Sequence, residues 1–345
     1  MAESYSKRYS EHIQSRIDRG KADFGIEGRR IAEMDTPHQV RNYLGLGQRN
    51  LMINGDFSIW QRGGSSSTYT TQQFSADRWY HSGGDTTGGA DGFGIQHTAT
   101  NTDPYFLYRL EDIGNEWAGK DFVCSFYIKT SDGQNRLQYL TIDNVNYYHR
   151  QPMNDGDKHQ IIEIESDIPN YKRYYLHGRF NGTYTNYHRF VFELMNYAGC
   201  VSTLAYVQVE LGNTPTPFQE RTYGEELILC KRYFQRYGVG AGSAPFRLVG
   251  SGNNATNPLF GFMFPVEMYG APTVYYYGTN SLNGTFNVYA PGFATANSGT
   301  PAGVDINSYA VRWNFTSAAG AATLPHWIDV GSGNNQFGFD LYSEP

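Results

Sequence analysis

The chain has 345 residues, a formal net charge of −6 and 17% charged residues. This length suits two or three modules rather than one minimal core, and the negative charge argues against binding a nucleic-acid backbone through a basic face. No apolar run reaches the roughly 20 residues that span a bilayer, and the N-terminus lacks the apolar stretch of a signal peptide. We therefore expect synthesis in a cytoplasm and no membrane insertion.

Aromatic residues and glycine are abundant, with 28 Tyr, 21 Phe and 39 Gly. This composition favours short strands that are joined by tight turns. Charge is uneven, because 15 of the first 48 residues are Asp, Glu, Lys or Arg, against 7 of the last 108. Three cysteines are an odd number in a long chain, which indicates reduced core residues rather than a disulfide framework. They are Cys124, Cys200 and Cys230.

Residues 1–48 have the pattern of short helices. The four-residue spacing of Ile13 and Ile17 indicates one helix, and Pro37 after Thr36 marks the start of a second. The apolar face of this segment is too small to be buried by one chain. Such a segment is either frayed or packed on another chain, and we predict that it trimerises the chain and attaches it to another protein. The residues predicted to carry this assembly are Ile13, Ile17, Phe24, Ile31 and Met34.

Residues 49–221 have the strongest β signal. Apolar residues alternate with others in the segments 122–128, 162–164, 190–194 and 201–211. Several short alternating strands with turn residues between them predict a β-sandwich rather than an α/β sheet.

The segment 201–211 is predicted to be a half-buried strand that Gly212, Pro215 and Pro217 terminate. The positions predicted to face the core are Thr203, Ala205, Val207, Val209 and Leu211. The positions predicted to face away from it are Ser202, Gln208 and Glu210.

A connecting helix is predicted over residues 222–237. Thr222 and Glu225 have the spacing of a capping box, and Gly238 suits a C-cap. The apolar face of this helix is predicted to contain Tyr223, Leu227, Cys230, Phe234 and Tyr237.

Residues 238–345 are predicted to form a second small β domain, an exposed tip. Strand-like segments at 259–264, 272–277, 284–289 and 308–315 are separated by runs of Gly, Asn, Ser and Pro. The fold class expected for the whole chain is all-β: a jelly-roll β-sandwich followed by this second domain, with a short N-terminal helical segment.

Several segments resemble a module of bacteriophage tail-fibre and related virion proteins. They are NLMINGDFSIWQRG (50–63), ADRW (76–79), LEDIGNEWAGKDFVCSFYIK (110–129), VQVELG (207–212), TPFQER (216–221) and YGEELILCKRYF (223–234). The resemblance covers roughly residues 50–237, and DTPHQVRNYLGLG (35–47) is also similar to a segment near the start of such fibres. It implies a carbohydrate-binding type of jelly-roll in a trimeric appendage on the phage particle, and it brings no catalytic residues.

Motifs of catalysis are missing from the sequence. It contains no nucleophile elbow, phosphate-binding loop, dinucleotide fingerprint or zinc-protease helix, so we predict neither an enzyme nor a cofactor. Asp155 and Asp157 flank a glycine, which indicates a turn; a structural Ca²⁺ ligand pair is the alternative.

Aromatic residues among Asn, Ser and Thr are the candidates for binding a sugar, because a ring face contacts the C–H side of a sugar while amides and hydroxyls bond its rim. These candidates are Tyr147, Tyr148, Tyr275, Tyr276, Tyr277, Tyr289 and Trp313. The alternative is that they fill a trimer interface. Trp60 and Trp79 have apolar neighbours and are predicted to be core residues.

Together these features predict a homotrimeric virion fibre that attaches to host cell-surface polysaccharide. The alternative is a decoration fibre of the capsid or neck with a structural or loosely adhesive role. A depolymerase is disfavoured, because the sequence lacks a long repetitive β-helix region and a pair of placed acids.

Overall fold

The structure is a computed structural model and describes residues 50–70, 73–99, 105–112, 114–131, 137–148, 160–183, 186–194, 200–237, 246–252, 258–278, 281–282, 286–289, 297–317, 325–330 and 338–344. Outside these ranges lie the predicted assembly and calcium residues Ile13, Ile17, Phe24, Ile31, Met34, Asp155 and Asp157. The chain divides after Leu51 into two compact units, and all the described strands belong to Met52–Pro345. In the described ranges, no helix has the length and apolar character needed to cross a membrane.

Two antiparallel sheets of six strands each form a sandwich. The first sheet has the order β1 (Gln73–Phe74), β2 (Tyr80–Ser82), β5 (Tyr105–Asp112), β11 (Asn186–Leu194), β7 (Leu137–Ile142) and β8 (Val145–Tyr148). The second has the order β3 (Gly84–Gly88), β4 (Ile95–Ala99), β12 (Val201–Leu211), β6 (Asp121–Thr130), β10 (Lys172–Arg179) and β9 (Ile162–Ile164). The predicted all-β fold class is confirmed.

Aromatic side chains fill the space between the two sheets. The ring of Phe126 on β6 lies 5.3 Å from that of Phe192 on β11, and Trp79 lies 4.9 Å from Tyr108. Trp79 is completely buried, which confirms its prediction as a core residue. All three cysteines are buried and unbonded, as predicted.

Strand β12 is present as predicted, but its side chains do not alternate as expected. A β-bulge shifts the register between Ala205 and Gln208, and Tyr206 within it has a positive φ of 47°. Ala205 pairs with Tyr127 on the outer face of the sheet, whereas Val209 pairs with Cys124 on the inner face. The extra residue of a bulge reverses the alternation beyond it. The prediction that Thr203 and Ala205 share the face of Val207, Val209 and Leu211 is therefore wrong.

The residues of β12 that were predicted to face away from the core are also buried. Gln208 is completely buried and Glu210 is 3% exposed, because the proline-containing segment after the strand folds back across it. Thr216 donates a hydroxyl hydrogen bond of 2.5 Å to Glu210, and the backbone N–H of Gln219 donates to the Gln208 side chain at 2.7 Å. Buried polar groups are tolerated when they are paired in this way.

The connecting helix α1 (Tyr223–Lys231) begins at the predicted capping box of Thr222 and Glu225. It ends at Lys231 rather than at Tyr237, because Phe234–Tyr237 forms strand β13 and pairs with β22 (Gly338–Tyr342). The helix also buries Glu226 rather than Tyr223, which is 63% exposed. Strand pairing with a distant part of the chain therefore overrides the helical spacing of Phe234 and Tyr237.

The region after α1 contains a second sheet system, in the same compact unit as the sandwich. A four-stranded sheet has the order β13, β22, β16 (Thr273–Gly278) and β17 (Ser281–Leu282). A closed barrel has the order β14 (Phe246–Gly252), β15 (Pro258–Met263), β20 (Ala310–Ser317), β19 (Asn297–Ile306), β18 (Phe286–Tyr289) and β21 (Pro325–Val330).

Four of the segments that carry the family resemblance meet at one buried polar cluster. The Asn54 side-chain amide donates to the carbonyl of Asp77 at 2.9 Å, and the Trp79 indole N–H donates to the carbonyl of Asn54 at 2.9 Å. Glu226 accepts from the backbone N–H of Asn54 and from Arg221. These motif residues thus hold the sandwich to α1 and have a structural role.

Candidate functional site

A groove lies on the outer face of the first sheet, at the edge formed by β1, β2 and β5. Residues of β5 alternate strictly between buried and partly exposed, so Tyr105, Leu107 and Arg109 point away from the core. The register places Tyr80 opposite Leu107. This sheet-face groove has a volume of about 360 Å³ and is lined by Phe74, Arg78, Tyr80, Tyr105, Leu107, Arg109 and Glu344.

Three aromatic rings form one side of the sheet-face groove. The rings of Tyr80 and Tyr105 are stacked at 6.5 Å with 29° between their planes, and Phe74 meets Tyr80 edge-on at 5.5 Å. Partial burial and the neighbouring Tyr105 raise the pKa of Tyr80. Its phenol is therefore protonated at neutral pH and can donate a hydrogen bond.

Charged groups form the other side of the groove. Arg78 donates to the Glu344 carboxylate and to the carbonyl of Arg109, and its guanidinium lies 3.5 Å from the Tyr233 ring centre. Burial acts to lower the pKa of Arg78, but the charge and hydrogen bond of Glu344, together with the nearby Tyr108 and Tyr233, outweigh it, and the net pKa lies above the ordinary value. Arg78 is therefore charged and fixed in place.

Glu344, which lines the groove, is part of a buried ion-pair network. Arg62 lies 3.2 Å from Asp77 and 3.0 Å from Glu344, and the side chains of these residues and Arg78 are between 1% and 8% exposed. Burial raises the pKa of Asp77 to about 6, although the charge of Arg62 and hydrogen bonds from Gln61 act in the opposite direction. The network joins the sandwich to the segment after β22 and positions Glu344 at the groove.

A second depression lies beside Trp60 on the same unit. It has a similar volume of about 360 Å³ and is lined by Phe57, Ser58, Trp60, Ser65, Ser66, Phe93 and several glycines. Trp60 is half-buried, so the prediction that it is a core residue holds only in part. Its indole N–H donates to the carbonyl of Phe57 at 2.6 Å. The residues that line this depression carry no charge, which makes the sheet-face groove the better equipped site for a polar ligand.

Tyr147 is not an accessible binding residue, which corrects its prediction. It is 3% exposed and pairs with Leu140 on a core-facing row. Its hydroxyl sits against Gly178, where a side chain would collide with it and with Phe122. Burial, with a contribution from Asp143, raises the pKa of Tyr147 to about 12.

Of the other predicted sugar-binding residues, Tyr275 is accessible. It lies on β16, is 44% exposed and meets the ring of Tyr342 edge-on at 5.2 Å. Neither Tyr147 nor Tyr275 lines the sheet-face groove. For the remaining candidates the structure describes the backbone alone. They are Tyr148 on β8, Tyr276 and Tyr277 on β16, Tyr289 on β18 and Trp313 on β20.

Sequence reasoning missed the residues that line the sheet-face groove. A usable signal was present in YFLYRLED (105–112), because its outward positions are Tyr, Leu, Arg and Glu and its inward positions are mainly apolar. An aromatic residue and an arginine on the outer face of one strand are a local sign of a binding surface. No local sign connects this strand with Glu344, which lies 239 residues after Tyr105.

No metal site is evident in the parts of the chain that the structure describes, where no group of three His, Cys, Asp or Glu side chains is arranged to hold an ion.

No known family model and no curated protein matches this chain. Solved structures that resemble it include a putative sugar binding protein from Bacteroides thetaiotaomicron, at 11% identity and a TM-score of 0.25, covering 48% of this chain and 100% of that one. The N-terminal CBM22-1-CBM22-2 tandem domain of Paenibacillus barcinonensis Xyn10C matches at 10% identity and a TM-score of 0.26, covering 82% and 99%. A cycloisomaltooligosaccharide glucanotransferase of Paenibacillus matches at 9% identity and a TM-score of 0.22, covering 79% and 47%. Similarity at these TM-scores transfers neither fold nor function to this chain.

Proposed function

We propose that this chain binds saccharides through the sheet-face groove. The observation that carries the proposal is the meeting of aromatic rings, including Tyr80 and Tyr105, with the charged side chains of Arg109 and Glu344 in one groove. Aromatic faces contact the C–H side of a sugar ring, while charged groups and hydroxyls hydrogen-bond to the sugar hydroxyls. A volume of about 360 Å³ is within the range of small-ligand sites.

We propose binding without cleavage. Glycoside hydrolysis ordinarily needs two carboxyl groups, placed about 5 to 9.5 Å apart across the scissile bond. Among the described residues that line the groove, Glu344 supplies the carboxylate, and it is already engaged by Arg62 and Arg78. Incubation with host polysaccharide is expected to release no reducing ends, and their release would contradict this part of the proposal.

The biological setting that we propose is a homotrimeric bacteriophage fibre that attaches to host surface polysaccharide. Its support is the sequence resemblance over residues 50–237 to virion appendages. Met263 at the end of β15 and Tyr309 just before β20 are 79% and 57% accessible and offer surface for contacts between copies. Three copies on one axis would raise the avidity of a shallow site well above its single-site affinity.

Tyr105→Ala is expected to weaken glycan binding about tenfold, because it removes a stacked ring from the groove. Isothermal titration of the full chain with glycans of a candidate host would measure this. Tyr223→Ala is the control, since Tyr223 is 63% exposed on α1 and lies outside the groove. If Tyr275→Ala weakens binding and Tyr105→Ala does not, the site is the predicted tyrosine cluster on β16 instead.

Sedimentation equilibrium of the 345-residue chain is expected to give three times the chain mass of 38.9 kDa, because the proposed fibre is a trimer. A monomer at micromolar concentration would contradict the fibre proposal and leave the groove proposal standing. If the chain is a trimer, imaging of labelled chains on phage particles would distinguish a fibre on the tail from the alternative, a decoration fibre of the capsid or neck.

A further inference from the structure

The depression beside Trp60 combines aromatic residues with hydroxyl groups, and the proposed function makes no use of it. Trp60 and Phe93 are half-buried and therefore partly accessible, whereas Ser58, Ser65 and Ser66 are exposed at the same depression. Aromatic faces contact the C–H side of a sugar, and neighbouring hydroxyls bond to its rim. The volume of about 360 Å³ equals that of the sheet-face groove and lies within the range of small-ligand sites.

Two neighbouring groups hold the ring of Trp60 in place. Its indole N–H donates to the carbonyl of Phe57 at 2.6 Å, and its ring lies 5.6 Å from that of Tyr69. Tyr69 is 7% exposed and donates a hydroxyl hydrogen bond of 3.3 Å to the carbonyl of Gly64. A ring that is fixed before binding loses little conformational entropy when a ligand packs on it. Trp60 is therefore already positioned to contact a ligand.

Phe93 is held by the irregular part of β12. Its ring lies 5.0 Å from that of Tyr206 and 5.5 Å from that of Tyr171. Tyr206 is the bulge residue with a φ of 47°, a backbone conformation that is unfavourable for a tyrosine. Bulges redirect side chains and are frequent next to functional sites. This bulge places the Tyr206 ring against a residue that lines the depression.

Backbone hydrogen bonds join the loops around the depression. The N–H of Gly88 donates to the carbonyl of Ser65 at 2.8 Å, and the N–H of Gly94 donates to the carbonyl of Asp56 at 3.3 Å. A Cβ atom at Gly88 would lie 2.7 Å from that of Ser65, so the two loops approach this closely because glycine has no side chain. The depression is therefore formed by the protein itself before any ligand binds.

The residues that line the depression carry no charge, and the carboxylates next to them in the sequence have partners. Asp91 pairs with Lys129 at 2.7 Å, and Oδ1 of Asp56 accepts from the backbone N–H of Ser58 at 3.2 Å. A charged ligand would lose hydration here without gaining a counter-charge. The lining therefore favours a neutral ligand.

We propose that the depression beside Trp60 is a second saccharide-binding site, which binds a neutral sugar unit against Trp60 and Phe93. This inference goes beyond the proposed function, because the second site does not depend on the sheet-face groove. Two sites on each chain would raise the avidity for a repetitive polysaccharide.

Isothermal titration of the 345-residue chain carrying Tyr105→Ala tests the second site, because this substitution removes a ring from the sheet-face groove. At least one of cellohexaose, mannohexaose and galactohexaose is expected to bind this variant. Adding Trp60→Ala is expected to weaken that binding about tenfold, through the loss of the aromatic contact. In the wild-type background, Trp60→Ala is expected to leave the binding of hexagalacturonate, an acidic oligosaccharide, unchanged. Weaker binding of the acid would contradict the preference for a neutral sugar.

Trp117→Ala is the matched control. Trp117 is also half-buried, lies 5.7 Å from the ring of Phe180 and does not line the depression. Ser66→Leu is a second test that leaves the core unchanged, because Ser66 is exposed. Its larger apolar side chain is expected to weaken binding of the same hexasaccharide without changing the urea midpoint. Unchanged binding in both Trp60→Ala and Ser66→Leu would overturn the inference.

Failure of the inference can be distinguished from failure of the proposed function. If Tyr105→Ala abolishes all binding of the neutral hexasaccharides, the second site is wrong and the sheet-face groove stands. If binding requires Trp60 and not Tyr105, the second site stands and the sheet-face groove is wrong. If none of the three hexasaccharides binds, the second site is wrong, and a host glycan that binds in a Tyr105-dependent way would leave the proposed function standing.

Discussion

Glu344→Gln is expected to lower the free energy of unfolding by about 3–5 kcal/mol, because removing one member of a buried ion pair leaves its partners uncompensated. Glu344 is 8% exposed and accepts from two arginines, Arg62 and Arg78, which are themselves 6% and 1% exposed. After the substitution, Arg62 keeps its pairing with Asp77 at 3.2 Å, whereas the buried guanidinium of Arg78 loses the charge of Glu344. The size of the effect follows from the desolvation of this charge, which the fold cannot reverse by exposing it.

Urea denaturation of wild type and variant would measure this change. Asp91→Asn is the control, because Asp91 is 39% exposed and pairs with Lys129 at 2.7 Å on the outside of the second sheet. Exposed pairs contribute little to stability, so the control is expected to remain close to wild type. Equal effects of the two substitutions would mean that burial does not determine the strength of the Glu344 network.

His188→Gln is expected to lower the free energy of unfolding by a similar amount, about 3–5 kcal/mol near neutral pH. His188 is fully buried on the inner side of β11, with Nδ1 2.5 Å from Asp143 and Nε2 3.1 Å from Asp112. Both carboxylates are also buried, at 3% and 1% exposure. Glutamine carries no charge, so it leaves two buried negative charges without the cation between them.

The protonation of His188 also makes the stability of the fold depend on pH. Burial acts to lower the pKa of His188, but the hydrogen bonds and charges of Asp143 and Asp112 outweigh it, and the pKa in the folded protein lies above the ordinary 6.5. The folded state then holds a proton that the unfolded state has lost, so this contribution is complete below pH 6.5 and disappears as the pH rises through the folded pKa.

Urea denaturation at about pH 6 and about pH 9 would test this sign. The difference in stability between wild type and His188→Gln is expected to be largest near the lower pH and smaller near the higher. His177→Gln, on the exposed face of β10, is the matched control and is expected to show no such trend. A difference that grows with pH would mean that His188 is neutral in the folded state.

Much of the sandwich could be predicted from local patterns. Alternation in the sequence located β12 and the inner face of β6, although the bulge at Tyr206 interrupts it within β12. The spacing of Thr222 and Glu225 identified the start of α1. Alternation works because successive side chains of a strand point to opposite sides, whatever the rest of the chain does.

Other expectations failed where contacts between distant segments decide the outcome. Phe234 and Tyr237 have helical spacing after α1, but β22 offers them a strand partner more than 100 residues away. Tyr147 has polar neighbours in the sequence, yet the register with β7 points it into the core. The bulge at Tyr206 is likewise not evident from its neighbours, because its register is set by pairing with β6.

The sequence by itself determined the all-β class, the reduced buried cysteines and the capped start of α1, since each depends on composition or on residues a few positions apart. Only the tertiary structure brought Phe74, Tyr80, Tyr105, Arg109 and Glu344 into one groove. The physical reason is that cross-strand register and buried ion pairs join residues far apart in the chain, and neither leaves a pattern in the local sequence.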